Sequence, residues 1–152
     1  RGYVETYNAC LKHLNGAIEG CEWLRPRYVP EDAIQAGYNW CCFWEGDKHG
    51  LNHDRFKQVA REAGAPLGFG FTQKPAYLFD VFQSVTDHAH PARKPFKRHA
   101  PYPGKKYAQG DCPVAEDTIW RIVSSGAMLA TEEAGKRAAE KIRIAIEVMN
   151  KG

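Results

Sequence analysis

The chain has 152 residues, 43% of them hydrophobic and 26% charged, with a formal net charge of +3. That is enough chain for one domain with a sizeable core, in the proportions of an ordinary soluble globular protein. No apolar run approaches the roughly 18 residues of a membrane span, so no transmembrane helix and no secretory h-region are visible in the sequence.

Residues 3 to 19 set Val4, Tyr7, Leu11, Leu14 and Ile18 at alternating steps of three and four, one apolar stripe on a helix that ends at Gly20. A short extended segment follows around Trp23 to Arg27. The run Gly37-Tyr38-Asn39-Trp40-Cys41-Cys42-Phe43-Trp44 is aromatic and uncharged, and reads as a strand buried on most of both faces. Residues 45–50 form a turn. Asn52 then caps a second helix, Leu51 and Phe56 occupy the positions of a hydrophobic staple, and Gly64 follows its last turn.

Pro66 to Thr72 reads as a second strand, with Gly68 and Gly70 on one face and Leu67, Phe69 and Phe71 on the other. Lys74 to Phe82 is an apolar turn or short helix. From Thr86 to Gly110 the chain is a basic loop studded with prolines, which disfavour helix and central strand. Six cations (Arg93, Lys94, Lys97, Arg98, Lys105, Lys106) stand there without an acid from His88 onward, and the rest of the chain is mildly acidic. Pro113 to about Val123 is a third helix, broken by Ser124-Ser125-Gly126 before a short apolar strand at Ala127 to Leu129. Thr131 caps the last helix, whose stripe is Ala134, Ala138, Ile142, Ala145, Ile146 and Met149. The result is an α+β class: a short, largely antiparallel sheet covered by helices, in a single domain over 1–152. The tryptophans and phenylalanines around the two strands exceed what one small sheet needs to bury, so exposed apolar surface is expected.

The five cysteines have no framework-like spacing and read as reduced thiols, so a cytoplasmic location is expected. No Cys-x-x-Cys or His-x-x-x-His pair occurs, so no metal site is expected.

Asp111-Cys112-Pro113-Val114-Ala115-Glu116 is a helix start: a capping side chain, proline at the first helical position, and an acid in the first turn. It resembles the Cys-Pro-Val-Ala-Glu signature near the end of the DegT/DnrJ/StrS family of sugar aminotransferases. Two further landmarks stand in the same order. They are the aromatic strand Gly37 to Trp44, and Gly64-Ala65-Pro66-Leu67-Gly68 leading to Pro75-Ala76-Tyr77. The chain departs from the family at Val123 to Leu129, where a Leu-Pro-hydrophobic-His segment is usual, at Ala76, and in the length of its basic loop.

The resemblance covers essentially the whole chain and implies the C-terminal small domain of a fold-type I enzyme that uses pyridoxal phosphate. Such an enzyme passes an amino group between an amino acid and a keto sugar or keto cyclitol. The Schiff-base lysine would belong to a large N-terminal domain, so no catalytic residue and no cofactor are expected in this chain alone. The partners implied are that large domain, a second subunit of a homodimer and the sugar or cyclitol, without membrane or nucleic acid. Substrate contact is expected from Tyr77, which matches the family's His/Tyr position, with Lys74 beside it. Tyr38 and Asn39 at the start of the aromatic strand, and Arg93, Lys94, Lys97 and Arg98 on the basic loop, complete the candidates. The competing reading is a free-standing interaction module whose basic loop, residues 93–106, binds an anionic partner.

Overall fold

Apolar residues at helical spacing must cover something, and here they cover one face of a sheet. The computed structural model describes residues 2–33, 39–79, 107–126 and 131–152. Four strands form one sheet: β1 (Leu24–Pro26), β2 (Trp40–Trp44), β3 (Leu67–Phe69) and β4 (Ile122–Ser125). Their order is β1-β2-β4-β3, and every neighbouring pair is antiparallel. The helices are α1 (Gly2–Ala17), α2 (His53–Glu62), α3 (Pro113–Arg121) and α4 (Glu132–Asn150). The α+β class and the small antiparallel sheet agree with the sequence.

The aromatic strand obeys a strict two-residue period, because side chains alternate across a sheet. Trp40, Cys42 and Trp44 are buried, while Cys41 and Phe43 are half-buried. Burial on most of both faces is therefore corrected to one covered face. Leu24 lies opposite Trp44, and Cys42, Val123 and Phe69 form a row across β2, β4 and β3.

The second correction concerns the third helix. It ends at Arg121, and Ile122–Ser125 becomes a central strand instead of a helix end followed by a breaker. Short apolar runs do not separate helix from strand by periodicity alone. Here Val123 is fully buried between two partner strands, and the Ser125 hydroxyl donates to the Pro66 carbonyl at 2.9 Å. The short strand expected at Ala127 to Leu129 lies outside the described residues.

The core joins α1, α2 and α4 to the covered face through Leu14, Phe56, Val59, Ile142, Ala145 and the strand residues Trp44 and Val123. Val4 does not belong to it and is 48% exposed. The reason is geometric: α4 starts level with Cys10 and His13, so the first turns of α1 extend past it. The two helices come close where α4 carries Gly135, a buried position the stripe did not include.

The expectation of exposed apolar surface divides by position: Phe71, just after β3, is 69% exposed, whereas four aromatic residues lie in the core. Trp23, Trp40, Trp44 and Phe56 are 4%, 2%, 0% and 0% exposed. Trp44 stacks on Phe56 with centroids 5.3 Å apart, and Trp23 meets both edge-on. Two indole N–H groups donate to carboxamides, Trp23 to Asn150 at 2.9 Å and Trp40 to Asn15 at 2.8 Å. Trp44 Nε1 is buried without an acceptor among the described residues, a cost of about 1–3 kcal/mol.

Residues 1–71 with 121–152 form one compact unit, and residues 72–120 form a second. The whole sheet belongs to the first. Within it, β3 continues to Gly70, whose N–H donates to the Ile122 carbonyl at 2.8 Å.

Candidate functional site

Among the described residues of the second unit, two short stretches meet through Tyr77 and Glu116, which are 39 residues apart in sequence. Pro75 precedes a single 3-10 turn, Ala76–Leu78, that carries Tyr77. The Thr72 hydroxyl donates to the Lys74 carbonyl at 2.8 Å, which shapes the entry to that turn. On the other stretch, Ala108 to Asp111 close a tight turn. The Ala108 N–H donates to the Asp111 carboxylate at 3.0 Å, and Gly110 adopts φ +98°, a conformation that other residues resist. Pro113 then opens α3, where a missing N–H costs no helical bond.

Glu116 lies in the first turn of α3, and its carboxylate joins the two stretches. The Tyr77 phenol donates to Glu116 Oε1, and the Gly110 N–H donates to the same oxygen at 2.7 Å. The Tyr107 ring meets Tyr77 edge-on with centroids 6.0 Å apart. These donors hold the Glu116 carboxyl below its ordinary range, the phenol contributing most. Desolvation and the adjoining carboxylate push the Tyr77 phenol up to about 12. At neutral pH the pair is therefore a fixed carboxylate and a fixed neutral phenol. Neither group titrates near 7, so the arrangement suits positioning and recognition better than proton transfer.

The other sequence candidates are placed as follows. Lys74 is half-buried, with its ammonium 5.4 Å from the Phe79 ring centroid. Asn39 belongs to the first unit, half-buried at the residue before β2. Tyr38, Arg93, Lys94, Lys97 and Arg98 lie outside the described residues. Glu116 was not among the candidates. Its signal was present, an acid three residues after the helix-opening proline, but that signal also fits plain helix capping.

Pyridoxal phosphate needs a lysine amine, a carboxylate facing the pyridine nitrogen and a phosphate cradle around one cavity. A small recess of about 10 Å³ beside Cys10, Leu14, Trp40 and Ser125 is too small for a pyridine ring and is lined by no lysine. An open groove of about 480 Å³ along α1 contains Lys12 between Asn8 and Asn15, with no carboxylate in its lining. Neither place fits the cofactor. Among the described residues no group of three or more His, Cys, Asp or Glu side chains is placed to hold a metal ion. Among the same residues no helix is long and apolar enough to cross a membrane. No model of a known protein family matches the chain, and no curated protein sequence matches it.

Proposed function

We propose that this chain is the C-terminal small domain of an aminotransferase of the DegT/DnrJ/StrS type, acting on a keto sugar or keto cyclitol. One observation carries the reading. The Tyr77–Glu116 hydrogen bond links the two stretches whose sequences resemble the family, the Pro-Ala-Tyr turn and the Cys-Pro-Val-Ala-Glu helix start. A bond between them makes the two landmarks parts of one local structure, which supports reading them together.

In this reading the cofactor and its lysine belong to a large domain of the same cytoplasmic enzyme, which works as a homodimer. Bound there, pyridoxal phosphate serves as the electron sink for amino transfer. The part left to this chain is recognition. Tyr77, fixed by Glu116, presents a half-buried phenol edge towards the substrate's hydroxyl groups, and the basic loop meets any phosphate or nucleotide portion.

The test is direct. The complete reading frame that contains this chain is purified with pyridoxal phosphate and offered amino-acid donors with a panel of keto sugars and keto cyclitols. Mass spectrometry should find an aminated sugar or cyclitol. A reading frame without a large domain, or a cofactor-loaded protein that aminates none of the panel, rejects the proposal.

A further inference from the structure

Five asparagines occur in the chain, and only Asn15 is followed by glycine. The pair Asn15-Gly16 lies in the last turn of α1, which ends at Ala17. Directly after it the main chain tightens, and the Ile18 N–H donates to the Asn15 carbonyl at 3.1 Å. The Asn15 carboxamide accepts from the Trp40 indole N–H at 2.8 Å and so ties α1 to β2. Asn15 is nevertheless exposed and lines the open groove along α1, which gives water access to it.

An asparagine followed by glycine carries an electrophile and a nucleophile on adjacent residues. When the main-chain nitrogen of Gly16 attacks Asn15 Cγ, an N–Cγ bond forms and the Cγ–Nδ2 bond breaks. The proton lost from Gly16 N ends on the departing nitrogen, which leaves as ammonia. Water then opens the cyclic imide at either carbonyl, giving aspartate or isoaspartate. Helical geometry keeps Gly16 N away from Cγ, so the last turn has to open first. Glycine eases that step, because it weakens a helix relative to alanine and bears no side chain to shield its nitrogen. A helix end also opens at lower free energy than a core.

We propose that Asn15 is a site of spontaneous deamidation in the folded chain, reached when the end of α1 opens. The two products act differently on Trp40. Aspartate keeps an oxygen where Asn15 Oδ1 stood, and the bond from the indole becomes charge-assisted. Its new charge opposes the negative end of the α1 dipole, but Arg143 Nη2 donates to the Gly16 carbonyl at 3.5 Å and offsets it. Isoaspartate adds a methylene to the main chain, breaks the last turn and withdraws the acceptor from an indole that is only 2% exposed. The link between α1 and β2 is thus lost in the isoaspartate form alone.

The experiment uses the unmodified 152-residue chain and a Gly16→Ala variant, whose added Cβ meets nothing nearer than 3.9 Å. Both are kept folded, without denaturant, in mildly alkaline buffer made with heavy-oxygen water. Mass spectrometry of peptides then locates each converted asparagine and the labelled oxygen of its new carboxyl. Conversion at Asn15 should outrun that at Asn8, Asn39, Asn52 and Asn150 by about tenfold, and Gly16→Ala should slow it by a similar factor. In the separated products, NMR should show the Trp40 indole N–H still hydrogen-bonded beside aspartate and released beside isoaspartate. An intact Asn15 while another asparagine converts, equal rates in the two chains, or conversion only after unfolding overturns the assignment. If Gly16→Ala does not fold, the ranking of the asparagines in the unmodified chain decides alone.

Discussion

A Cβ built on Gly135 would sit 2.9 Å from Cys10 Sγ and 3.0 Å from Cys10 Cα, where α1 meets α4. One of the close atoms is backbone, so the conflict cannot be relieved by rotating a side chain. Overpacking of this kind costs about 1–3 kcal/mol, against roughly 1 kcal/mol gained when alanine replaces glycine inside a helix. Gly135→Ala should therefore lower the urea midpoint of unfolding. Gly16→Ala provides the contrast, since its Cβ would meet nothing nearer than the Arg143 guanidinium at 3.9 Å. That change should leave stability equal or raised, and a gain at both positions would show that the helices are not in close contact.

The Tyr77–Glu116 pair makes a second prediction for single residues, in two directions of pH. Glu116 is depressed, so its contribution is present above the ordinary carboxyl value of 4.5 and is lost as pH falls through the lower folded value. Tyr77 is raised, so its contribution is complete below its ordinary value of 10.0 and is lost as pH rises through about 12. A phenolate absorbance titration should show one tyrosine ionising well after the others. Tyr77→Phe should abolish that late step, and a single common step in the unmodified chain would contradict the pairing.

At the level of elements, legibility tracks the distance between partners in sequence. The Asn52 cap was readable because its side chain accepts from the Arg55 N–H three residues on, at 2.9 Å. Thr131 and Ala134 are related in the same way at 3.2 Å. Replacing Asn52 with alanine should cost about 1 kcal/mol in chemical denaturation, mostly by leaving that N–H without its cap. Strand β4 was not readable. What makes Ile122–Ser125 a strand is pairing with β2 and β3, which lie far upstream, and no local pattern reports it. Glu116 escaped for the same reason, since its phenol donor arrives from a distant turn. Gly135 escaped because small residues on a helix face look neutral until a second helix is laid against them.

At the level of the molecule, burial is unevenly divided. Among the described residues, the largest fully buried side chains lie in the first unit, in β1, β2, β4 and the helices α1, α2 and α4, whereas α3 buries no residue completely. Segments with few buried contacts open at lower free energy than those in a core. Amides of Glu116 to Trp120 should accordingly exchange before those of Ala138 to Ile146, and the reverse order would refute this division. The candidate recognition site thus stands on the less protected part of the chain, as binding elements commonly do.

The bond from Gly70 to Ile122 has a consequence for how the chain can be cut and rejoined. Because β3 and β4 run antiparallel, the chain leaves the first unit and returns to it at neighbouring points. Residues 72–120 are thus, in connectivity, an excursion from a hairpin whose two stems are already paired. An excised protein, with that excursion replaced by a tight turn of a few residues, keeps every strand partner and all three core helices. It should fold with native-like tryptophan emission, while the Tyr77–Glu116 site is deleted outright. Collapse of that shortened chain would mean that the excursion supplies stability as well as recognition.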